Sequence, residues 1–472
     1  MSSVHNQNGL ASPASWPDAC NSLKFSQSSD GTDSTSSHLA LDVQSNSLTL
    51  SGSPDVVIGL GDCLGASIHP SGLLSIYCYP MTKPKCGSSA TKARIRAPSP
   101  ISLQLENTSG DATKFSSDIA LCDSTLVPAI RRLCTGSGVG ERRRKFLVLV
   151  NPFSGKKQGN QICETFVKPM FEHANIEPVV LVTERAGHAT DLMKNDSGTD
   201  LYQYDAIIAV GGDGLLYEMM QGAQLRSDKA EFFDRVAFGI VPAGSGNGLA
   251  ASVSHGCDEF DATITNVFVI CKGEAKKSDL SLYQTAAGNS YTSFLSLSWG
   301  IVADVDLESE VLRALGSMRF DVYAVWRMIA LKQYRAKLSY LPAGVEIGAM
   351  PPIDQPVDGN WTTIEDNFLC FWALQTTHAS QGMFTSPASR MNDGKFHIYV
   401  VRGKASRLNL LTSFLAFEDG SHVKQKHMEI IECTAFRLEP LSDNSHLDID
   451  GEEVEYGAIQ AQVQAGAWKV FY

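Results

Sequence analysis

The sequence predicts an α/β domain with a parallel sheet flanked by helices, a mainly antiparallel β-rich domain after it, and a small β module ahead of both. Three observations carry this fold class. Between residues 146 and 250, short Val/Ile-rich runs alternate with glycine turns and helical segments, the pattern of a parallel sheet. After Ser278 the alternation stops and strand-like runs follow one another, with few helices between them. Before Gly140, three strand-like runs and one helical stretch stand apart from both patterns.

At 472 residues the chain is too long for one core, and two or three domains are expected. A formal charge of −12 argues against nucleic acid as a partner, and against adhesion to anionic membranes through net charge alone. The eleven cysteines include no Cys-x-x-Cys pair, so neither a disulfide framework nor a zinc ribbon is indicated. The N-terminus lacks a basic-then-apolar leader, and no uninterrupted apolar run approaches membrane-spanning length. A cytoplasmic protein with reduced thiols is expected.

Taken in order, residues 1–54 are rich in Ser, Asn and Asp and are expected to be mostly disordered, with a short strand near Leu48. Residues 55–143 hold strands at Val56–Leu60, Leu73–Tyr79 and Ile101–Leu105 and a closing helix at Asp118–Leu133, a small accessory module similar to a pleckstrin-homology domain. The basic run Arg142 to Lys145 is a solvated linker or a contact for phosphate or lipid headgroups.

Residues 144–278 then alternate. Phe146–Val150, Val179–Thr183, Ala206–Val210 and Val236–Val241 read as buried strands. Three of them end in turns: Asn151-Pro152-Phe153-Ser154-Gly155-Lys156, Gly211-Gly212-Asp213-Gly214 and Pro242-Ala243-Gly244-Ser245-Gly246-Asn247. In residues 279–472, strands are expected at Ser281–Gln284, Ser290–Trp299, Ala336–Leu341, Phe368–Leu374, Phe396–Val401, Met428–Cys433 and Ala435–Leu438. Helices are expected at Leu307–Leu315, Phe320–Lys332 and Leu408–Glu418.

Each glycine turn at a strand's carboxyl end can aim backbone amides, and the start of the next helix, at phosphate oxygens. Three on one sheet, with the carboxylate of Asp213 in the middle one, suggest a nucleoside triphosphate site, and Lys156 can add a positive charge. None of the turns is a Walker A sequence, and the first is no Gly-x-Gly-x-x-Gly fingerprint. Glu184, just past the second strand, nonetheless keeps a dinucleotide reading open. Asp213 is the candidate general base for phosphoryl transfer to an alcohol, with indirect Mg²⁺ binding as its competing role. Glu218, about one helical turn later, either helps to position the nucleotide or is an ordinary helix acid.

The three turns together resemble the catalytic domain shared by diacylglycerol, ceramide and sphingosine kinases, and the likeness runs from about Arg144 to the C-terminus. The block Ser296-Leu297-Ser298-Trp299-Gly300-Ile301-Val302-Ala303-Asp304-Val305-Asp306-Leu307-Glu308-Ser309-Glu310 resembles sphingosine kinases specifically; Arg313, Gly316, Met318, Arg319 and Phe320 continue it, as does Asp448-Ile449-Asp450-Gly451-Glu452. The resemblance implies an ATP-binding first domain, a second domain that cradles the lipid, and a C-terminal segment returning to the nucleotide and its Mg²⁺. It implies ATP-binding roles for Asn151, Ser154, Gly155, Lys156, Thr183, Gly211, Gly212, Gly214, Glu218, Gly244, Ser245, Gly246, Asn247, Asp450, Gly451 and Glu452, with Arg313 and Arg319 on the phosphates. Mg²⁺ is expected to arrive on the ATP phosphates, with no direct protein ligand.

The acids of the block bear on the substrate. Sphingosine and sphinganine carry an amine beside the reactive hydroxyl, whereas ceramide and diacylglycerol carry no cationic nitrogen. A carboxylate at the head would therefore favour the amine. The resemblance gives this role to Asp306, with Asp304 as helper and Ser296 on the amino-alcohol; capping of the following helix accounts for the remaining acids. Four acids are expected to alternate between the strand and that helix. Ile301, Phe414, Leu415, Phe417, Met383 and Phe384 are candidate walls for the single hydrocarbon chain, and by the resemblance His422 matches a pocket histidine.

Two departures stand out. Gln158 occupies a place where the family usually has a second lysine, and Gly248 one where it often has alanine. A ceramide or diacylglycerol kinase, and a non-catalytic lipid sensor on the same fold, are the competing functions. Reversible membrane contact is expected, and homodimerisation stays open.

Overall fold

The computed structural model describes residues 23–27, 37–42, 47–51, 56–82, 95–96, 98–135, 142–194, 199–244, 246–259, 262–309, 311–312, 318–345, 348–357, 359–442 and 445–472. The chain forms two compact units. One comprises Met1–Lys145, Thr165–Pro178 and Asp258–Glu274; the other comprises Phe146–Glu164, Val179–Cys257 and Ala275–Tyr472.

In the first unit, strands β1 (Lys24–Gln27), β2 (Ser37–Asp42), β3 (Ser47–Ser51), β4 (Val56–Gly59), β5 (Cys63–Ile68), β6 (Leu73–Cys78), β7 (Met81–Thr82), β8 (Ile95–Arg96) and β9 (Ile101–Leu105) are followed by a helical stretch. Seven of them form an antiparallel sheet in the order β4-β3-β2-β1-β9-β6-β5, while β7 and β8 pair separately. Asp111 starts the helix by accepting the Thr113 amide at 2.8 Å, an N-cap made by a side chain that competes well for orphan amides. Phe25, Leu48, Leu74, Ile76 and Leu103 then pack with Leu126, Val127 and Ile130 of the helical stretch. The strand expected near Leu48 is β3, and the stretch expected to be mostly disordered also supplies β1 and β2. Among the described residues of that stretch Leu23, Phe25 and Leu48 are buried, apolar positions too sparse to stand out among Ser and Asp.

The second unit is built on one sheet of fourteen strands: β10 (Arg144–Val150), β11 (Ile176–Val182), β12 (Ala206–Gly211), β13 (Ala237–Pro242), β14 (Ala275–Thr285), β15 (Ser290–Ser293), β16 (Ser296–Gly300), β17 (Tyr334–Pro342), β18 (Thr362–Leu374), β19 (Phe396–Arg402), β20 (Met428–Pro440), β21 (Leu447–Ile449), β22 (Glu452–Val454) and β23 (Ile459–Phe471). The main path runs β11-β10-β12-β13-β23-β20-β17-β18-β16-β21-β22, with β14 on β15 and β23, and β19 on β18 and β20. β10, β12 and β13 are parallel and β12 is buried at every position, as a strand covered on both faces must be. From β14 to β22 the pairing is antiparallel. The α/β part and the β-rich part are therefore not two sheets. β23 joins them, running parallel to β13 at Ala237↔Lys469 and antiparallel to β14 and β20.

Apolar cores lie around this sheet. Leu215, Met219, Phe238 and Trp468 belong to one; Trp299, Phe371 and Phe436 to another; Trp372, Tyr399 and Leu410 to a third.

Candidate active site

The three glycine turns lock together at the carboxyl ends of β10, β12 and β13. In the first, Asn151 Oδ1 accepts the Phe153 amide at 2.9 Å and Gly155 adopts φ 54°. A Cβ on Gly155 would stand 2.6 Å from the Ala243 carbonyl oxygen of the third turn, so glycine is needed for both conformation and space. The third turn bonds to the second: the Ala243 amide donates to Gly211 O at 2.8 Å, and the Asp213 amide to Gly246 O at 3.1 Å. Ser154 is buried beside Gly211, Thr183 donates its amide to Val150 O, and Lys156 is exposed in the first turn.

Asp213 is the first residue of the Asp213–Gln224 helix, and its side chain caps a different one. Its Oδ2 accepts the Gly248 amide at 2.5 Å and its Oδ1 the Leu249 amide at 3.4 Å, at the start of the Gly248–Gly256 helix. Burial, helped by the nearby charge of Asp450, pushes the carboxyl up to about 7, against the pull of those amides. Asn247 closes the turn by donating to Gly244 O.

Asp450 and Gly451, at φ 55° and 86°, form the two-residue turn between β21 and β22, where Asp-Gly is a favoured pair. The Asp450 carboxylate accepts the Ser293 hydroxyl at 2.6 Å and the amides of Phe294, Leu295 and Ser296 at 2.9–3.2 Å. Burial nevertheless raises it to about 6. Glu452 Oε1 lies 2.7 Å from where a Cβ on Gly214 would stand, which brings the C-terminal segment onto the first turn of the Asp213 helix.

Beyond Ser296 the chain differs from expectation. The four acids were expected to alternate ahead of a helix; instead the helix begins at Ile301, immediately after Gly300 at φ 77°, and runs to Glu308. A period of two along the sequence thus becomes two faces of a helix. Asp304 and Glu308, four apart, share one face. Asp304 is fully buried, accepts the hydroxyls of Tyr334 and Ser445, and pairs with Arg327. Glu308 accepts the Tyr323 hydroxyl at 2.5 Å and Arg327 at 3.2 Å. Asp304, expected to help at the lipid head, is engaged inside the protein instead. Asp304, Glu308 and His446 are spaced to hold a metal ion, but the Arg327 guanidinium is paired with both carboxylates, making this an ion-pair network. Asp306 faces another way, its Oδ2 lying 3.5 Å from the Cβ position of Gly451.

Ile301, Met383, Phe414 and Phe417 pack against one apolar cluster, whereas Leu415 is 66% exposed and lines no wall. Phe384 stacks on His378 and packs against the tilted ring of His255. His422 is buried, its ring nitrogens against the carbonyls of Thr385 and Ala416, and burial lowers its basicity. Glu218 accepts the Ala189 amide at 3.3 Å and so caps the His188–Met193 helix. Arg319 sits in the first turn of the Met318–Ala330 helix, over the Phe320 ring. Ser245, Glu310, Arg313 and Gly316 lie outside the described residues.

Gly248 has no room for an alanine side chain. A Cβ would stand 2.7 Å from His378 O and 2.8 Å from Ala379 O, both backbone atoms. Gly248→Ala is expected to cost about 1–3 kcal/mol of stability and to lower activity by shifting the amide that holds Asp213. Thermal melting with a parallel activity assay checks it; wild-type values in both would refute the close fit.

Sequence reasoning assigned no role to Ser293, Ser298 or Asp448. Ser298 follows Ser296 at strand period, and Asp448 precedes Asp450 by the same step, so alternation was the signal available.

A diacylglycerol kinase catalytic domain model matches residues 145–283, and a YegS C-terminal NAD kinase beta sandwich-like domain model matches residues 312–472. The chain is similar to sphingosine kinase 1 of Homo sapiens, 35% identical over 350 residues, covering 69% of this chain and 90% of that protein. It is 32% identical to sphingosine kinase 2 of Arabidopsis thaliana over 348 residues, covering 67% and 70%. A putative diacylglycerol kinase structure from Bacillus anthracis superposes with a TM-score of 0.50 at 19% identity, covering 71% of this chain and 98% of that one, a likeness of fold alone. With human sphingosine kinase 1 matched over nine-tenths of its length, the chain belongs to the sphingosine kinase family, on a diacylglycerol-kinase-type catalytic fold with a β-rich C-terminal domain.

Proposed function

We propose that the protein transfers the γ-phosphate of ATP to the primary hydroxyl of a sphingoid base, sphingosine or sphinganine, giving the 1-phosphate. The observation that carries this is the succession of carboxyls from Asp213 through Asp450 to Asp306, linking the interlocked glycine turns to an acid suited to a cationic lipid head. The amides of the three turns receive the phosphates, with Lys156, Arg313 and Arg319 as cationic contacts and Asn247, Asp450 and Glu452 framing the nucleotide. Asp213 takes the proton from the lipid hydroxyl as its oxygen bonds to the γ-phosphorus and the bond to ADP breaks. Ser296 and Asp306 orient the amino-alcohol; Ile301, Met383, Phe414 and Phe417 hold the tail.

The oxygens of Asp213 and Asp450 already accept backbone amides or a serine hydroxyl, so Mg²⁺ is assigned to the ATP phosphates and no side chain is named as its direct ligand. Bound there, it neutralises charge developing on the phosphoryl group. Phosphate transfer in mixed micelles, with sphingosine, ceramide and diacylglycerol offered in parallel with and without Mg²⁺, tests the assignment. Transfer to sphingosine alone is expected; transfer to a neutral lipid would return Asp306 to a structural role.

The substrate resides in a bilayer, and among the described residues no helix is long and apolar enough to cross one. Reversible contact is therefore assigned to the Met318–Ala330 and Arg407–Ala416 helices, which expose Val322, Val325, Trp326, Ile329, Leu408 and Leu415 beside the cluster holding the tail residues. Val325→Asp with Trp326→Asp is expected to cut liposome co-sedimentation about tenfold or more while leaving turnover of micellar substrate nearly unchanged. Undiminished sedimentation would exclude this face. The seven-stranded antiparallel sheet followed by a helix supports the pleckstrin-homology-like reading of the N-terminal module.

A further inference from the structure

The face of β16 that carries Ser296 also carries Ser298, and across the strand pair Ser298 is registered with Asp448 on β21. The Ser298 hydroxyl donates to Asp448 Oδ2, and the Gly451 amide donates to Oδ1 at 3.3 Å. Asp448 is 3% exposed, and among the described residues no basic side chain pairs with it. Its charged neighbours are other acids, Asp306 on the Ile301–Glu308 helix and Asp450 two residues along. Burial and then the charge of Asp306 hold the Asp448 carboxyl well above the usual carboxylate range.

A buried carboxyl among carboxyls is costly, and a hydrophobic residue at the same place on β21 would avoid the cost. The compensation that fits is a cation that arrives only with the substrate. We propose that Asp448 is a specificity-determining residue, forming with Asp306 a two-carboxyl receptor for the ammonium of the lipid head, held in place by Ser298. This rests on the sphingoid-base assignment above. Without substrate, burial and the charge of Asp306 disfavour the anion at Asp448, and the bonds it accepts from Ser298 and Gly451 offset only part of that cost. An ammonium lying between the two acids removes the rest: any proton on Asp448 leaves to solvent, and the carboxylate becomes the second anion facing that cation. An N-acylated lipid brings no cation, so it gains nothing from the second acid, and discrimination between amine and amide rises.

The test uses the full chain in mixed micelles, comparing wild type, Asp306→Asn, Asp448→Asn and Ser298→Ala with sphinganine and with a short-chain N-acyl sphinganine. Asparagine keeps the carboxyl's shape and the acceptor for Ser298, gives up only the 3.3 Å contact from the Gly451 amide, and cannot ionise. A purely structural Asp448 would therefore tolerate it. The expected result is a KM for sphinganine raised about tenfold with kcat within about twofold, and a preference for the amine reduced by a similar factor. Ser298→Ala, which leaves Asp448 in place but unheld, is expected to move KM the same way, and it decides the matter if Asp448→Asn does not fold. Unchanged KM in Asp448→Asn, or in Ser298→Ala where that variant decides, overturns the inference while a raised KM in Asp306→Asn leaves the substrate assignment standing. Failure of the wild type to prefer the amine, with Asp306→Asn silent, overturns the substrate assignment itself.

Discussion

Replacing Asp213 by asparagine is expected to lower kcat by about a thousandfold or more while leaving ATP affinity and the fold nearly intact. General-base removal accounts for a factor of about 10² to 10⁴. The asparagine carbonyl can still accept the Gly248 amide, the shorter of the two bonds that anchor the side chain, and loses only the 3.4 Å contact to Leu249. The nucleotide turns are held by backbone bonds that do not involve the side chain, so their geometry survives. Turnover, nucleotide titration and melting on the same preparation separate the outcomes. An active Asp213→Asn enzyme would remove the base assignment, and a variant that no longer binds ATP would make Asp213 a strut for the third turn.

The position of the Asp213 carboxyl near pH 7 gives this prediction a second signature. A base works only when deprotonated, so kcat/KM should rise through about pH 7 and then level, and the residual activity of Asp213→Asn should lack that limb. The sign for stability is opposite. The folded-state value lies above the unfolded one of 3.8, so between about pH 4 and 7 the native state binds the extra proton. This contribution to stability is full below pH 4 and is lost as pH rises through 7. Above pH 7 the ionised group therefore costs folding energy, on the order of a few kcal/mol, and Asp213→Asn should melt at or above the wild-type temperature at pH 8. An active site that keeps a carboxylate buried for chemistry trades stability in this way.

The parts of the site that could be read from sequence are those where one short segment does the work alone. Each glycine turn announces itself because the conformation and the close approach demand glycine locally, as at Gly155 against Ala243. What could not be read depends on distant pairings. β23 lies more than two hundred residues after β13, which it pairs in parallel, and nothing in Ile459–Phe471 names that partner. Its alternation is diluted by alanines and interrupted at Gly466, which adopts φ 60°. The acidic block misled for a different reason. Asp304, Asp306 and Glu308 recur every second residue, which imitates an extended segment, yet Gly300 ends β16 and a helix takes over. Asp306, two residues from both Asp304 and Glu308, leaves their face and lies toward Gly451. Asp304 was misplaced because its partners Tyr334, Ser445 and Arg327, which engage it inside the protein, come from elsewhere in the chain.

Arg327→Ala is expected to be among the most destabilising single changes in the second unit, lowering the melting temperature by on the order of 10 °C. Asp304 is fully buried and the Arg327 side chain is only 10% exposed, so the pair sits where solvent does not screen it. Truncating the arginine leaves the buried Asp304 anion with two hydroxyl donors and only the more distant Lys332 ammonium at 4.0 Å; breaking comparable buried pairs costs about 3–5 kcal/mol. It also takes the guanidinium from Glu308, which keeps the Tyr323 hydroxyl and His446, and so loosens the helix that presents Asp306. KM for the lipid should rise even in the fraction that stays folded. The exposed pair Arg335–Glu365 makes the contrast, since Arg335→Ala should change stability by less than about 1 kcal/mol. Removing both buried charges, Asp304→Asn with Arg327→Met, should recover most of the loss, because the penalty comes from the orphaned charge more than from the missing attraction. Melting curves of the three variants decide it. If Arg327→Ala melts within 2 °C of wild type, or the double variant is as unstable as the single, the buried ion pair is not what fixes this helix, and Asp306 owes its position to the apolar contacts of Ile301, Val302 and Val305 instead.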